Sequence, residues 1–219
     1  MKPKKVCSVA MASAFICLLS SCGKTEIAAS STTTTLVVVP VTLATTTTTT
    51  TTTTLAPYTD LEYEAAKKRM RTEVDKVQNI TWISDKTAPT SWANSFDLYI
   101  GSKPGMDPWF RFKVSYYGSD WIFFTKEIIN VDGILFNIEH EYFDMKHDNS
   151  GGGVFEWIDV TPSDADISML RLIAKSESTI VRLQGDTYNK DLEITAKQKQ
   201  AIQNVFTVYE GLKRGKIDL

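Results

Sequence analysis

Residues 96–116 read FDLYIGSKPGMDPWFRFKVSY, and the alternation of apolar and polar side chains in this stretch decides the fold class. Apolar residues occupy every second position before the Gly/Pro-rich turn of residues 101–108, and the same period resumes after it. The apolar positions are Phe96, Leu98, Ile100, Phe110, Phe112, Val114 and Tyr116. A period of two with one apolar side is typical of a strand that buries one face. The stretch therefore predicts two neighbouring strands of an antiparallel sheet.

Four further strands are predicted downstream of this stretch. They cover residues 121–131, 134–138, 142–146 and 154–160. Asp132-Gly133, between the first two, is a strong signal for a hairpin. The polar, glycine-rich loop of residues 147–153 separates the last two. From about Ile80 to Val160 the chain is thus expected to form an antiparallel meander with one buried face.

An amphipathic helix is predicted in front of the meander. Thr59 and Glu62 have the spacing of a capping box, in which each side chain accepts a hydrogen bond from the backbone of the other residue. Apolar residues then recur at steps of three and four, at Tyr63, Ala66, Met70, Val74 and Val77. This spacing predicts a helix that begins after Thr59 and ends near Gln78-Asn79.

Two more helices, separated by a strand at 180–183, are predicted after the meander. Thr161 is the expected cap of the first, with Pro162 in its first turn, and Thr195 and Gln198 form a capping box for the second. The predicted fold class is α+β: an antiparallel meander sheet with an N-terminal helix and two C-terminal helices packed on it. One curved sheet covered by helices is the economical packing for this order of elements.

The first 22 residues have the three zones of an export signal. Lys2, Lys4 and Lys5 precede an apolar stretch over residues 6–19, and small residues then lead to a cysteine in Leu19-Ser20-Ser21-Cys22. The apolar stretch, about 14 residues, is too short to cross a bilayer core of roughly 30 Å as a permanent helix. Leu19-Ser20-Ser21-Cys22 resembles the lipobox of bacterial lipoproteins. The resemblance implies a diacylglycerol thioether on Cys22, removal of residues 1–21 and acylation of the new amine; an ordinary secretory signal is the alternative.

The resemblance also implies where the protein is located. Two acyl chains hold a protein on a membrane stably, so Cys22 is expected to anchor the chain to the cell membrane, outside the cytoplasm. Gly23, rather than Asp, is similar to the pattern of lipoproteins sent to the outer membrane of cells that have two membranes. Residues 22–57 are rich in threonine and are predicted to form a disordered stalk, because they cannot bury enough apolar area to offset their ordering entropy. The globular domain is predicted over residues 58–219.

The charge and the cysteines of the chain exclude several classes of protein. The formal net charge is −2, and three lysines but no acidic residue precede Cys22, so the mature form carries −5. A mildly acidic domain lacks the basic surface that nucleic acid requires, so no nucleic-acid partner is expected. The three cysteines, Cys7, Cys17 and Cys22, all precede the globular domain. A cysteine nucleophile, a CxxC redox pair and a thiolate metal site are therefore excluded there.

The two histidines, His140 and His147, give a weak signal for chemistry. Together with Asp144 they can be drawn as a metal site, but their spacing matches no recognised ligand pattern. Two histidines on a polar surface are the favoured interpretation. The glycines around Ser102 are misplaced for a nucleophile elbow. No catalytic residue, metal or cofactor is predicted, and a small extracytoplasmic hydrolase or metal-dependent enzyme is the alternative function.

Aromatic residues give the stronger functional signal. Trp109, Tyr117 and Tyr99 fall on the polar side of their predicted strands, beside Arg111 and Lys113. Exposed rings among polar groups make stacking surfaces for sugars or peptides, since a rigid ring contributes a large contact area at low entropic cost. These three residues are the predicted ligand-binding residues. Residues 157–212 loosely resemble uncharacterised bacterial exported proteins. This resemblance does not indicate any particular activity. The expected function is a non-enzymatic binding module at the cell surface, with a protein or a cell-wall glycan as its ligand.

Overall fold

Helix α1, Asp60–Arg69, opens the part of the chain that the computed structural model describes, residues 58–215. Thr59 and Glu62 form the predicted capping box: the Thr59 N–H donates to the Glu62 carboxylate at 2.7 Å, and the Glu62 N–H donates to Thr59 Oγ1 at 3.2 Å. The helix ends at Arg69 and the chain continues directly into strand β1, Met70–Asp75. The predicted signal peptide, Cys22 and the stalk lie outside the described residues.

The prediction that this helix continues to Gln78-Asn79 is wrong. Asp75 Oδ1 accepts hydrogen bonds from the N–H groups of Val77 and Gln78 at 2.9 and 3.0 Å, which gives the backbone a turn in place of a helix. Asn79 completes this turn with a φ of 57°. The turn pairs β1 with β2, Ile80–Asp85. Val77, expected on the buried stripe, is 96% exposed.

A six-stranded antiparallel sheet forms the larger layer. Its other strands are β3 (Ser95–Ser102), β4 (Trp109–Gly118), β7 (Lys146–Asp148) and β8 (Val154–Val160). The order across the sheet is β1-β2-β3-β4-β8-β7. Leu98 lies opposite Phe112, and Val114 lies opposite Ile158, so the apolar residues of neighbouring strands share one face. The strand predicted at 142–146 is wrong, because Tyr142–Asp144 is a single 3-10 turn and β7 begins only at Lys146.

A second, four-stranded antiparallel sheet takes the remaining strands. These are β5 (Lys126–Val131), β6 (Ile134–Glu139), β9 (Thr179–Gln184) and β10 (Asn189–Glu193), in the order β10-β9-β5-β6. Asp132-Gly133 makes the predicted hairpin between β5 and β6. The meander is therefore divided between two sheets, and the single curved sheet expected from the sequence is not observed. It divides because β5 pairs with β9, a strand from beyond the next helix.

Helix α2 (Asp164–Lys175) follows β8, and helix α3 (Ala196–Lys213) follows β10. Both helices were predicted, and β9 matches the strand predicted at 180–183, but β10 was not predicted. The cap of α2 is Ser163, which forms a capping box with Asp166, and the predicted cap Thr161 lies outside the helix. Thr195 and Gln198 form the predicted box of α3. Both helices and both sheets contribute to one continuous cluster of buried apolar residues. The predicted α+β class is thus confirmed. Among residues 58–215, no helix is long and apolar enough to span a membrane.

Candidate ligand-binding site

The outer face of the six-stranded sheet, opposite the core, carries an unusual concentration of aromatic rings. Strand alternation places them there, because the residues between them point inward. They are Trp82 on β2, Tyr99 on β3, Trp109 and Tyr117 on β4, and Phe155 and Trp157 on β8. We call this surface the aromatic face. Phe155 is buried, Tyr117 is exposed, and the other four rings are half-buried. Apolar surface therefore remains open to a ligand on this face.

A pocket of about 280 Å³ lies on the aromatic face, beneath the loop of residues 86–94 that joins β2 to β3. Trp82, Tyr99 and Phe155 supply its aromatic lining, and Ala88, Pro89 and Ser91 of the loop close it from above. The ring centroids of Trp82 and Tyr99 are 5.7 Å apart in an edge-to-face arrangement. This space is of the size that one or two sugar rings or a small organic group would occupy.

The loop over the pocket is attached at both ends. Arg71 of β1 donates to the carbonyl oxygens of Ala88 and Pro89 at 2.7 and 3.4 Å. At the other end, Trp92 stacks on Phe155 with centroids 5.3 Å apart and ring planes 7° apart. The Ser115 hydroxyl also donates to the carbonyl of Ala93 at 2.8 Å. The pocket is therefore formed before any ligand arrives, which lowers the entropic cost of binding.

Asp97 of β3 and Lys113 of β4 are opposite each other in the register and both line the pocket. Burial raises the pKa of the Asp97 carboxyl above its ordinary value; a hydrogen bond from Ser95 and the positive charges of Lys113 and Arg71 only partly oppose this. The Lys113 ammonium lies 5.7 Å from the centroid of the Phe155 ring. The pocket thus offers one carboxyl group and one ammonium group to a ligand.

Hydrogen bonds at the Asp159 carboxylate hold Tyr99 in place. Its hydroxyl donates to Asp159 Oδ2 at 2.6 Å, and Arg111 binds the same carboxylate, with Nε 3.0 Å from Oδ1. Burial and the neighbouring Asp159 raise the pKa of Tyr99 well above its usual value, so the hydroxyl stays protonated and remains a donor. These contacts fix the orientation of the Tyr99 ring in the lining of the pocket.

The structure places the three predicted ligand-binding residues at different positions on the aromatic face. Tyr99 lines the pocket. Trp109 lies beside it and contacts Trp82 edge to face, with centroids 5.9 Å apart. Tyr117 is at the other end of β4, next to Trp92, and eight residue steps of roughly 3.4 Å separate it from Trp109. The three rings share a face but do not form one site.

The ligand site assigned from the sequence does not include Trp82, Asp97, Lys113 or Phe155, although all of them line the pocket. Alternation could have found Asp97 and Lys113, because it already placed them on the side of Tyr99. Alternation also places the Phe155 ring on this side, but it does not predict that Trp92 covers the ring, since only the path of the loop brings Trp92 across the sheet. The loop carries no period or motif that would have predicted this path.

The two histidines are apart from this pocket and from each other. The His140 Nε2 atom is 2.6 Å from Glu127 Oε2 in a buried pair, in which burial raises the pKa of the Glu127 carboxyl despite the bond from His140. The His147 ring contacts the rings of Trp121, Phe123 and Tyr142. The metal site drawn from His140, Asp144 and His147 is not assembled. Within residues 58–215, no group of three or more His, Cys, Asp or Glu side chains could hold a metal ion.

Comparison with known proteins gives no relative. No family model, no curated protein and no solved structure matches the chain.

Proposed function

We propose that the chain is a non-enzymatic binding module, lipid-anchored outside the cytoplasm, whose pocket on the aromatic face binds a cell-wall glycan. The observation that carries this proposal is the combination of aromatic rings with a carboxyl and an ammonium group in one preformed pocket. The C–H faces of a sugar ring pack against aromatic rings, and its hydroxyls need donors and acceptors at fixed positions.

The shape of the site favours a glycan over a protein as the ligand. A stable protein interface buries about 800 Å² on each partner and is centred on a broad patch. The pocket is instead concave, and the loop of residues 86–94 covers it. A single ring or the end of a chain fits such a space better than a folded partner does.

The location rests on the sequence of the N-terminal segment. The lipobox-like Leu19-Ser20-Ser21-Cys22 and the threonine-rich residues 22–57 support attachment to the membrane by lipid on Cys22, at a distance from the globular domain. In a cell with two membranes, Gly23 favours the outer one. A domain held there would have access to cell-wall polymers.

Removal of the Trp82 ring tests the pocket. Tryptophan fluorescence and titration calorimetry with peptidoglycan fragments and common polysaccharides should give a saturable signal for the native chain. Trp82→Ala should weaken binding at least tenfold, because a central ring supplies much of the contact energy. Phe123→Ala, which removes a half-exposed ring outside the pocket, is the matched control and should bind like the native chain. Absence of binding to every glycan, or equal losses in both variants, would contradict the proposal.

Mass spectrometry of the membrane fraction tests the anchor. The mature N-terminus is expected to be Cys22 carrying acyl chains, and Cys22→Ala should release the protein from the membrane or leave it unprocessed. A native chain that retains Met1, or that has an unmodified Cys22, would refute lipid attachment. This result would not contradict the proposed glycan site.

A further inference from the structure

Lys113 is a charged residue of the pocket that lies beside Phe155. Among residues 58–215, its ammonium forms no ion pair within 4 Å, although acidic and basic side chains surround it. It is half-buried against the Phe155 ring. A half-buried ammonium with no carboxylate within ion-pair distance is well placed to bind a ligand that supplies an anion.

Most of the other charged side chains near Lys113 are bound to groups of the chain or exposed to solvent. Asp159 is held by Arg111 at 2.8 Å, and Arg71 is held by the loop carbonyls. Glu73 lines the pocket from β1 but is exposed to solvent. Asp85 is buried on the inner side, where it accepts from Asn204. Of the carboxyl groups around Lys113, only Asp97 remains, and its burial favours the uncharged form.

We infer that the ligand of this pocket is an acidic sugar, with its ring against Trp82 and Tyr99 and its carboxylate bound by the Lys113 ammonium. This inference rests on the proposed glycan-binding function and names the chemical class of the glycan. Asp97 faces Lys113 across β3 and β4, and burial raises the pKa of its carboxyl. In its uncharged form this carboxyl would donate a hydrogen bond to the sugar and add no negative charge beside the sugar carboxylate. A neutral sugar leaves the ammonium without an anion.

A matched pair of oligosaccharides tests this assignment on the full chain in detergent micelles. The methyl ester of tetragalacturonic acid keeps the sugar rings and replaces each ionised carboxyl group by a neutral ester. At about pH 6 the acid should bind about tenfold more tightly than the ester, as expected for one charge-assisted hydrogen bond in a half-buried site. Lys113→Met should reduce the affinity for the acid to that for the ester. Lys190→Met, an exposed lysine of the other sheet, is the control and should keep the full preference.

The outcomes separate this inference from the function on which it rests. Equal binding of acid and ester to the native chain overturns the acidic sugar and leaves a glycan site. A preference for the acid that persists in Lys113→Met overturns the role of Lys113. If neither probe binds and the panel of peptidoglycan fragments and neutral polysaccharides also fails, the proposed function itself is refuted.

The dependence of binding on pH tests the part played by Asp97. As the pH rises through the elevated pKa of Asp97, its carboxyl ionises, competes for Lys113 and repels the ligand carboxylate. Affinity of the native chain for tetragalacturonic acid should therefore fall as the pH rises through this raised pKa, while the ligand stays ionised. Asp97→Asn keeps the uncharged form and should show a flat profile. A native profile that is equally flat overturns the assigned role of Asp97.

Discussion

Glu156 of β8 is a fully buried carboxylate whose two oxygens accept hydrogen bonds from the backbone. Oε1 binds the N–H of Ile122 at 2.6 Å and Oε2 binds the N–H of Phe124 at 3.1 Å. Between them, Phe123 has a φ of 50° and is 47% exposed. A bulky residue rarely adopts this backbone conformation, so the two bonds hold a strained segment in place.

Loss of this carboxylate should be among the most destabilising single changes outside the apolar core. Glu156→Ala leaves two buried N–H groups without acceptors and should lower the free energy of unfolding by about 3 kcal/mol. Urea unfolding measures it. Glu193→Ala, at an exposed position of β10, should change stability by less than about 0.5 kcal/mol. Similar values for the two variants would show that Glu156 does not hold the segment.

The sequence did not predict the residue at which β5 begins. Alternation extended the predicted strand back to Trp121, yet β5 begins at Lys126. The reason is that a side chain from a distant strand, and no neighbouring backbone, satisfies the N–H groups of Ile122 and Phe124. The pattern of a single segment contains no information on such a partner.

The loop of residues 86–94 is the element on which the pocket depends, and Arg71 is its attachment to β1. Arg71→Met keeps most of the stem but removes both hydrogen bonds to the loop carbonyls. Amide hydrogen exchange over residues 86–91 should become faster, and glycan affinity should fall about tenfold as preorganisation is lost. Global stability should change little, because the loop contributes little to the core.

Arg182→Met provides the comparison for this variant. It removes another arginine with two hydrogen bonds, to Asp191 on the second sheet, and should affect neither the loop nor binding. If exchange over residues 86–91 is the same in Arg71→Met and in the native chain, the contacts of Trp92 and Ala93 hold the loop without Arg71.

Element prediction worked best where local signals decide the structure. The capping boxes at Thr59 and Thr195 and the hairpin at Asp132-Gly133 depend on residues three or fewer positions apart, and all three are present. The end of α1 was mistaken because Met70 and Val74 fit both a helix of period 3.6 and a strand of period two. Pairing with β2 settles this ambiguity, and pairing is a tertiary interaction.

At the scale of the whole molecule, the two sheets and their helices share one apolar core. A shared core predicts that residues 58–215 unfold in one cooperative step. The calorimetric and van't Hoff enthalpies should agree, with a single heat-capacity peak. Val181→Ala, at a fully buried position of β9, should move the whole peak to lower temperature, whereas Ile180→Ala, at the half-exposed neighbouring position, should move it far less. A peak that splits would show that the second sheet unfolds separately.

The number of sheets was the part of the architecture that the sequence did not predict. The α+β class follows from the order of elements, and it is confirmed. Whether consecutive strands stay in one sheet depends on the pairing of β5 with β9, two strands separated by α2. Likewise, the aromatic face could be expected from Tyr99, Trp109 and Tyr117, but the pocket on it could not, because a loop without periodic pattern completes it.

The direct junction of α1 and β1 has a mechanical consequence for a tethered protein. If the chain is anchored at Cys22, any pull between membrane and wall enters the domain through α1 and reaches β1 at Met70. As an edge strand, β1 is held in the sheet by β2 alone, and tension can peel it away one hydrogen bond at a time. Arg71 is the second residue of β1, so the tension reaches it directly after Met70. Its side chain also holds the loop over the pocket. Tension on the tether would therefore weaken binding of the proposed glycan before the whole domain unfolds.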